Sequence, residues 1–150
     1  MDYITKINQK AKSQKLNAPK LIGDLIIINS PNIIREVKSR WLIGESVLGG
    51  FIGEYSNSQM GQEYKAYKMS INPRAKGRVD LTLTGALGAG LTIKKATSNE
   101  FKIFSVDSKY KMIGQKYGFE EFGLSDSQWI ELSQEILTFA IESAIKKIYE

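Results

Sequence analysis

Cysteine is absent from the 150 residues, and so is histidine. Without thiols there can be no disulfide, no thiolate nucleophile and no cysteine-held zinc or iron–sulfur centre. Without imidazole the Ser-His and Cys-His triads are excluded, along with histidine metal ligands and the commonest general base at neutral pH. Most hydrolytic and redox mechanisms fall away with those two residue types. The expectation is a protein that is not an enzyme and holds no cofactor. Long apolar runs are missing too: none reaches the roughly 18 residues that a bilayer-spanning helix needs, and no signal-peptide pattern follows Met1. This predicts a soluble chain with no membrane partner, made in a reducing compartment.

What is present is ordinary in amount and uneven in place. Hydrophobic residues make up 42% of the chain and charged residues 25%, the balance of a globular protein rather than a disordered one. A chain of this length is one domain by the usual prior and can bury roughly two thirds of its unfolded surface. The net charge is +5, but residues 1 to 20 hold five lysines against Asp2 alone, so that segment carries +4 and the other 130 residues about +1. We therefore divide the chain into a basic N-terminal arm, residues 1 to 17, and a single domain, residues 18 to 150. Lys6, Lys10, Lys12 and Lys15 in the arm are candidate contacts to DNA or to an acidic partner. Arg74, Lys76 and Arg78, which cluster in a loop after Asn72-Pro73, are the second such set.

Periodicity supplies the elements. Ile4, Ile7 and Ala11 form a narrow helical stripe in residues 2 to 16. LIGDLIIIN (21 to 29) reads as helix. Ser30-Pro31, a cap residue followed by proline, starts a helix that carries Ile33, Val37 and Trp41 and stops before Gly44. Gly49-Gly50 makes a turn into FIGEYS, which reads as a short strand. Gln59 to Ser70 is predicted helical, with Met60, Tyr64, Tyr67 and Met69 near helical spacing. The segment RVDLTLTGALGAG (78 to 90) alternates Val79, Leu81 and Leu83 against Asp80, Thr82 and Thr84, so a strand is expected there, turning at Gly85, Gly88 and Gly90 into LTIKKAT. EFKIFSVDS reads as another strand and KYKMIGQKYG as a short helix. Ser125 to Gln128 has capping-box spacing and opens a long final helix. Its stripe is Trp129, Leu132, Ile136, Ala140, Ala144 and Ile148, widened by Ile130, Leu137, Ile141 and Ile145. That face is expected to pack on the sheet and is wider than one small sheet needs, which leaves room for another subunit. The predicted class is α+β, a small mixed or antiparallel sheet packed by helices.

No motif carries obvious chemistry. GALGAG is followed by Leu91-Thr92 rather than Lys-Ser/Thr, and it lacks the strand–helix setting of a nucleotide loop. Glu120-Glu121, or Glu54 with Glu63, are paired carboxylates in segments that read as exposed, with nothing to set their separation. Tyr55, Tyr64, Tyr67, Tyr110 and Tyr117 resemble a stacking set for single-stranded nucleic acid. At helical spacing, Tyr64 and Tyr67 fit a core or a subunit interface better.

Residues 42 to 85, with "GES…GGFIGEYS…GQEYKAYK…NP…GRVDLTLTGAL", together with the later "FGLSDSQWIELSQEIL", resemble a family of small phage and prophage virion proteins. The likeness covers residues 42 to 137, about two thirds of the chain. It implies a non-enzymatic structural protein of a tailed-phage particle, similar to neck, head–tail connector and tail-completion proteins. Such a protein would be made in the host cytoplasm and located in the virion. The implied partners are copies of itself in a homo-oligomeric ring, neighbouring virion proteins (portal, connector or tail) and, non-specifically, the DNA in the channel. The alternative is a nucleic-acid-binding module that uses the basic arm and the tyrosines without reading sequence.

Overall fold

The computed structural model describes residues 18 to 149 apart from 83, 98 and 99. The arm and its lysines at 6, 10, 12 and 15 therefore lie outside the described residues. The fold is α+β: helices packed on one antiparallel hairpin, with a long C-terminal helix.

α1 (Ala18–Ile28) and α2 (Ser30–Leu42) follow one another almost without a break. Pro31 has no N–H to satisfy and tolerates the first turn of α2. Ser30, expected as the cap, is already helical, and its hydroxyl donates to the Ile26 carbonyl at 3.3 Å. Asn29 links the two helices: its backbone N–H and its side-chain amide both donate to the Leu25 carbonyl. α2 stops two residues before Gly44, whose φ of +71° favours glycine and whose missing Cβ leaves room for the Val79 carbonyl. The chain turns at Gly49-Gly50, with an isolated bridge between Glu45 and Phe51. FIGEYS beyond it forms no ladder, against expectation.

α3 (Gln59–Ile71) is capped by Ser58, whose hydroxyl accepts from the Gly61 N–H at 3.2 Å. A 3-10 turn follows at Pro73–Ala75, then α4 (Ala86–Ala89), β1 (Leu91–Lys95) and β2 (Phe101–Ser105). The hairpin pairs Leu91 with Ser105 and Ile93 with Ile103. The strand expected from residue 78 to 84 does not form, and Leu83 lies outside the described residues. The reason is local. Asp80 turns inward, and its Oδ1 accepts from both the N–H (2.9 Å) and the hydroxyl (2.5 Å) of Thr82. A side chain that captures neighbouring donors in this way competes with a ladder. What remains of pairing is one bond from the Val79 N–H to the Gly53 carbonyl.

α5 (Tyr110–Tyr117), a 3-10 turn (Phe119–Phe122) and α6 (Asp126–Tyr149) complete the chain. The capping box is formed as read: Ser125 N–H donates to Gln128 Oε1 at 3.1 Å, and Gln128 N–H to Ser125 Oγ at 3.3 Å.

The core has two parts that share α2. Val37 and Trp41 pack with Ile52, Val79, Leu81, Leu91 and Phe122, the Trp41 and Phe122 rings meeting edge to face. Leu25, Ile26 and Ile33 pack with Ile93, Ile136 and Ala140. α6 is thus wedged against α1 and only one side of the hairpin. Trp129, expected at the head of its buried stripe, is 48% exposed.

Next to the Trp41–Phe122 contact sits a buried ion pair. Arg40 Nη1 donates to Glu121 Oε2 at 2.8 Å, with both side chains 3% exposed. Arg40 also donates to the carbonyls of Glu45, Glu121 and Gly123. Glu121 accepts further from the Ser46 hydroxyl and the Val47 N–H, and its carbonyl from Trp41 Nε1. Glu121, read as exposed and a possible acid–base residue, is a structural anchor. Removing one partner of such a pair costs about 3–5 kcal/mol, because the other charge stays buried. We therefore expect Glu121→Gln and Arg40→Met to lower the denaturant midpoint strongly. Ile136→Ala should cost about 2–5 kcal/mol, and Trp129→Ala clearly less. Equal losses at 129 and 136 in denaturant unfolding would contradict this packing.

Candidate functional site: a tyrosine cleft beside a basic turn

α3 is attached to the body in an unusual sense. Its buried residue is Lys68, 2% exposed, while Met60, Tyr64, Tyr67 and Ile71 are all exposed. Lys68 Nζ donates to Asp80 Oδ1 at 2.5 Å, with the carboxylate side chain wholly buried. Asn72, at the end of α3, donates to the Leu42 carbonyl at 2.9 Å and contacts the Thr82 hydroxyl at 3.3 Å. The helix is therefore pinned by polar contacts at its C-terminal half rather than by an apolar face.

Beside this pair opens a cleft of about 280 Å³ whose walls include Tyr55, Tyr64, Tyr117, Leu81, Met112 and Lys116. Tyr55 and Tyr64 meet edge to face, with centroids 5.6 Å apart. Two buried polar atoms in the wall residues, Tyr55 Oη and Asp80 Oδ2, have no hydrogen-bond partner. Burial, and then the negative charge of Asp80, push the Tyr55 hydroxyl up to about 12. The same two causes, in the same order, raise Tyr64. The cleft can accept an apolar or aromatic group. No group of three or more His, Cys, Asp or Glu residues that could hold a metal ion occurs among the described residues.

The basic turn lies at the foot of α3. Arg74 and Lys76 are exposed, and Lys76 takes a left-handed conformation with φ of +51°. Arg74 also borders an open groove with Ser125, Ser127 and Gln128 at the start of α6. Arg78 is half-buried, and its guanidinium lies 3.0 Å over the Phe51 ring. The structure thus brings the three predicted residues onto one turn, but it commits Arg78 to a stacking contact.

No family model, curated protein or solved structure matches this chain. Among the described residues, no helix is long and apolar enough to cross a membrane.

Sequence reading missed Lys68 and Asp80 as an inward pair. The signal was present: each is a lone charge flanked by apolar or aromatic neighbours, Tyr67 and Met69 around the lysine, Val79 and Leu81 around the acid.

The tyrosine gives a pH prediction. Tyr55 ionises near pH 10 when unfolded and near 12 when folded, so between those values the unfolded chain sheds a proton that the folded chain keeps. Stability contributed by Tyr55 is complete below pH 10 and is lost as pH rises toward 12. Thermal melts across that range should fall more steeply for the parent than for Tyr55→Phe, whose lost hydroxyl had no partner. Parallel curves would rule this out.

Proposed function

We propose that this protein is a structural subunit of a tailed-phage particle, of the neck, head–tail connector or tail-completion kind. It works by contacts with copies of itself and with neighbouring virion proteins around the DNA channel, without catalysis. The observation that supports this reading best is the pair of helices with apolar stripes left outside the core. On α3 these are Met60, Tyr64, Tyr67 and Ile71. On α6 they are Ile130, Leu137, Ile141 and Ile145, each about half exposed. A head-to-tail ring needs two different sticky surfaces on each subunit, because heterologous contacts close only when unlike patches meet. Exposed apolar surface of this extent is a mark of interaction sites. The glycine, tyrosine and "VDLTLTG" pattern supports the virion context.

The second reading, a non-sequence-specific nucleic-acid binder, is favoured by one observation: Arg74 and Lys76 stand exposed on a single turn. It is weakened at Tyr55 and Tyr64, whose rings pack edge to face on one another.

Electron microscopy and particle mass of the purified protein test the first reading, with closed rings of uniform size as the expected result. A species of monomer mass at every concentration, with DNA affinity that falls steeply as salt is added, would support the binder instead.

A further inference from the structure

We infer that α6 of one copy docks along the α3 stripe and the basic turn of the next, as the head-to-tail contact of the ring. This rests on the ring reading proposed above and names the two surfaces that meet.

The first ground is shape and spacing. Met60, Tyr64, Tyr67 and Ile71 recur at spacings of four, three and four, so they share one side of α3. They are 80%, 41%, 55% and 48% exposed. Lys68, four residues after Tyr64 and three before Ile71, borders this row and turns its amine into the body to meet Asp80, while the apolar side chains around it stay at the surface. Ile130, Leu137, Ile141 and Ile145 recur at seven, four and four and share one side of α6, away from Ile136 and Ala140, which are buried. At 1.5 Å per residue the two stripes are about 17 Å and 22 Å long, so one can lie along the other. The two helices attach to different parts of the core: Tyr64 of α3 meets Tyr55, which packs on the Val37–Trp41 cluster, whereas Ile136 and Ala140 of α6 join Leu25 and Ile93. Each copy would therefore present one stripe to each neighbour.

The second ground is charge. α6, residues 126 to 149, contains four acids, Asp126, Glu131, Glu135 and Glu142, against Lys146 and Lys147 near its end, a net −2. Residues 59 to 78 contain five bases against Glu63, a net +4, of which Lys68 is already matched by Asp80. A parallel α6–α6 pair would set acid against acid, and an α3–α3 pair would bring two net-positive segments together. The unlike pairing removes both repulsions, which is how complementary charge selects orientation. Arg35, the base at the α6 edge beside Glu131 and Glu135, is paired with Glu36 and does not cancel this field.

The test is a charge exchange read by sedimentation velocity. Glu135→Lys with Glu142→Lys, and separately Arg74→Glu with Lys76→Glu, should each weaken self-association about tenfold or more. All four substitutions in one chain should restore it, since every contact is then reversed in sign. Leu137→Ser with Ile141→Ser should abolish association while the melting temperature stays within a few degrees of the parent, these side chains being half exposed. Rings that form in the two pairwise variants as in the parent would overturn this contact and leave the ring reading standing. A parent that stays monomeric would overturn both. Failure of the four-fold variant to recover, with its fold intact by circular dichroism, would also overturn the pairing of these two faces.

Discussion

The buried pair of Arg40 and Glu121 is the constraint on which the rest depends. It joins two stretches far apart in sequence: the end of α2 with the turn at Glu45 to Val47, and the 3-10 turn with Gly123 at the approach to α6. Burying an ion costs several kcal/mol unless its hydrogen bonds are met. Here both carboxylate oxygens are satisfied, Oε1 by Ser46 and Oε2 by Arg40 and Val47. Only Arg40 Nε lacks an acceptor. Trp41 donates to the same stretch through Nε1 and packs on Phe122, so the polar and apolar contacts hold one geometry together. A purely apolar junction could slide. A network with fixed donors and acceptors cannot, and it sets where α6 begins.

The Lys68–Asp80 pair has the opposite consequence. It makes a lysine the one buried residue of α3, with the apolar residues around it left exposed, and by capturing Thr82 it withholds residues 79 to 82 from the hairpin. Local charge pairing therefore overrides two patterns that apolar periodicity would have set. The surface left over is basic and aromatic at α3, acidic and aliphatic at α6. Those are the properties that the ring reading draws on.

Much of the fold was legible. Helices α1, α2, α3, α5 and α6, the LTIKK–FKIFS hairpin strands and the capping box at Ser125 all stand where spacing and caps placed them. The strand at 78 to 84 was not legible because strict alternation says which residues differ, not whether an acid such as Asp80 faces out or finds a buried lysine. FIGEYS failed because β-rich composition without a partner strand makes only a bridge. The candidate contacts Arg74, Lys76 and Arg78 were placed correctly on one turn, but the stacking of Arg78 on Phe51 joins residues 27 positions apart. No local pattern reports a contact of that kind. On α6, the width of the apolar stripe was readable, whereas which half of it is buried depends on where α1 lies.

The central claim is that one face of α3 and one face of α6 are covered together when copies assemble. Hydroxyl-radical footprinting of the protein above and below its association range measures this directly at the side chains. The account predicts that Met60 and Tyr67 lose reactivity in the same concentration range as Leu137 and Ile141, while Val106, exposed on the hairpin side, does not change. Protection of only one stripe, or of neither, in an assembled particle would contradict it.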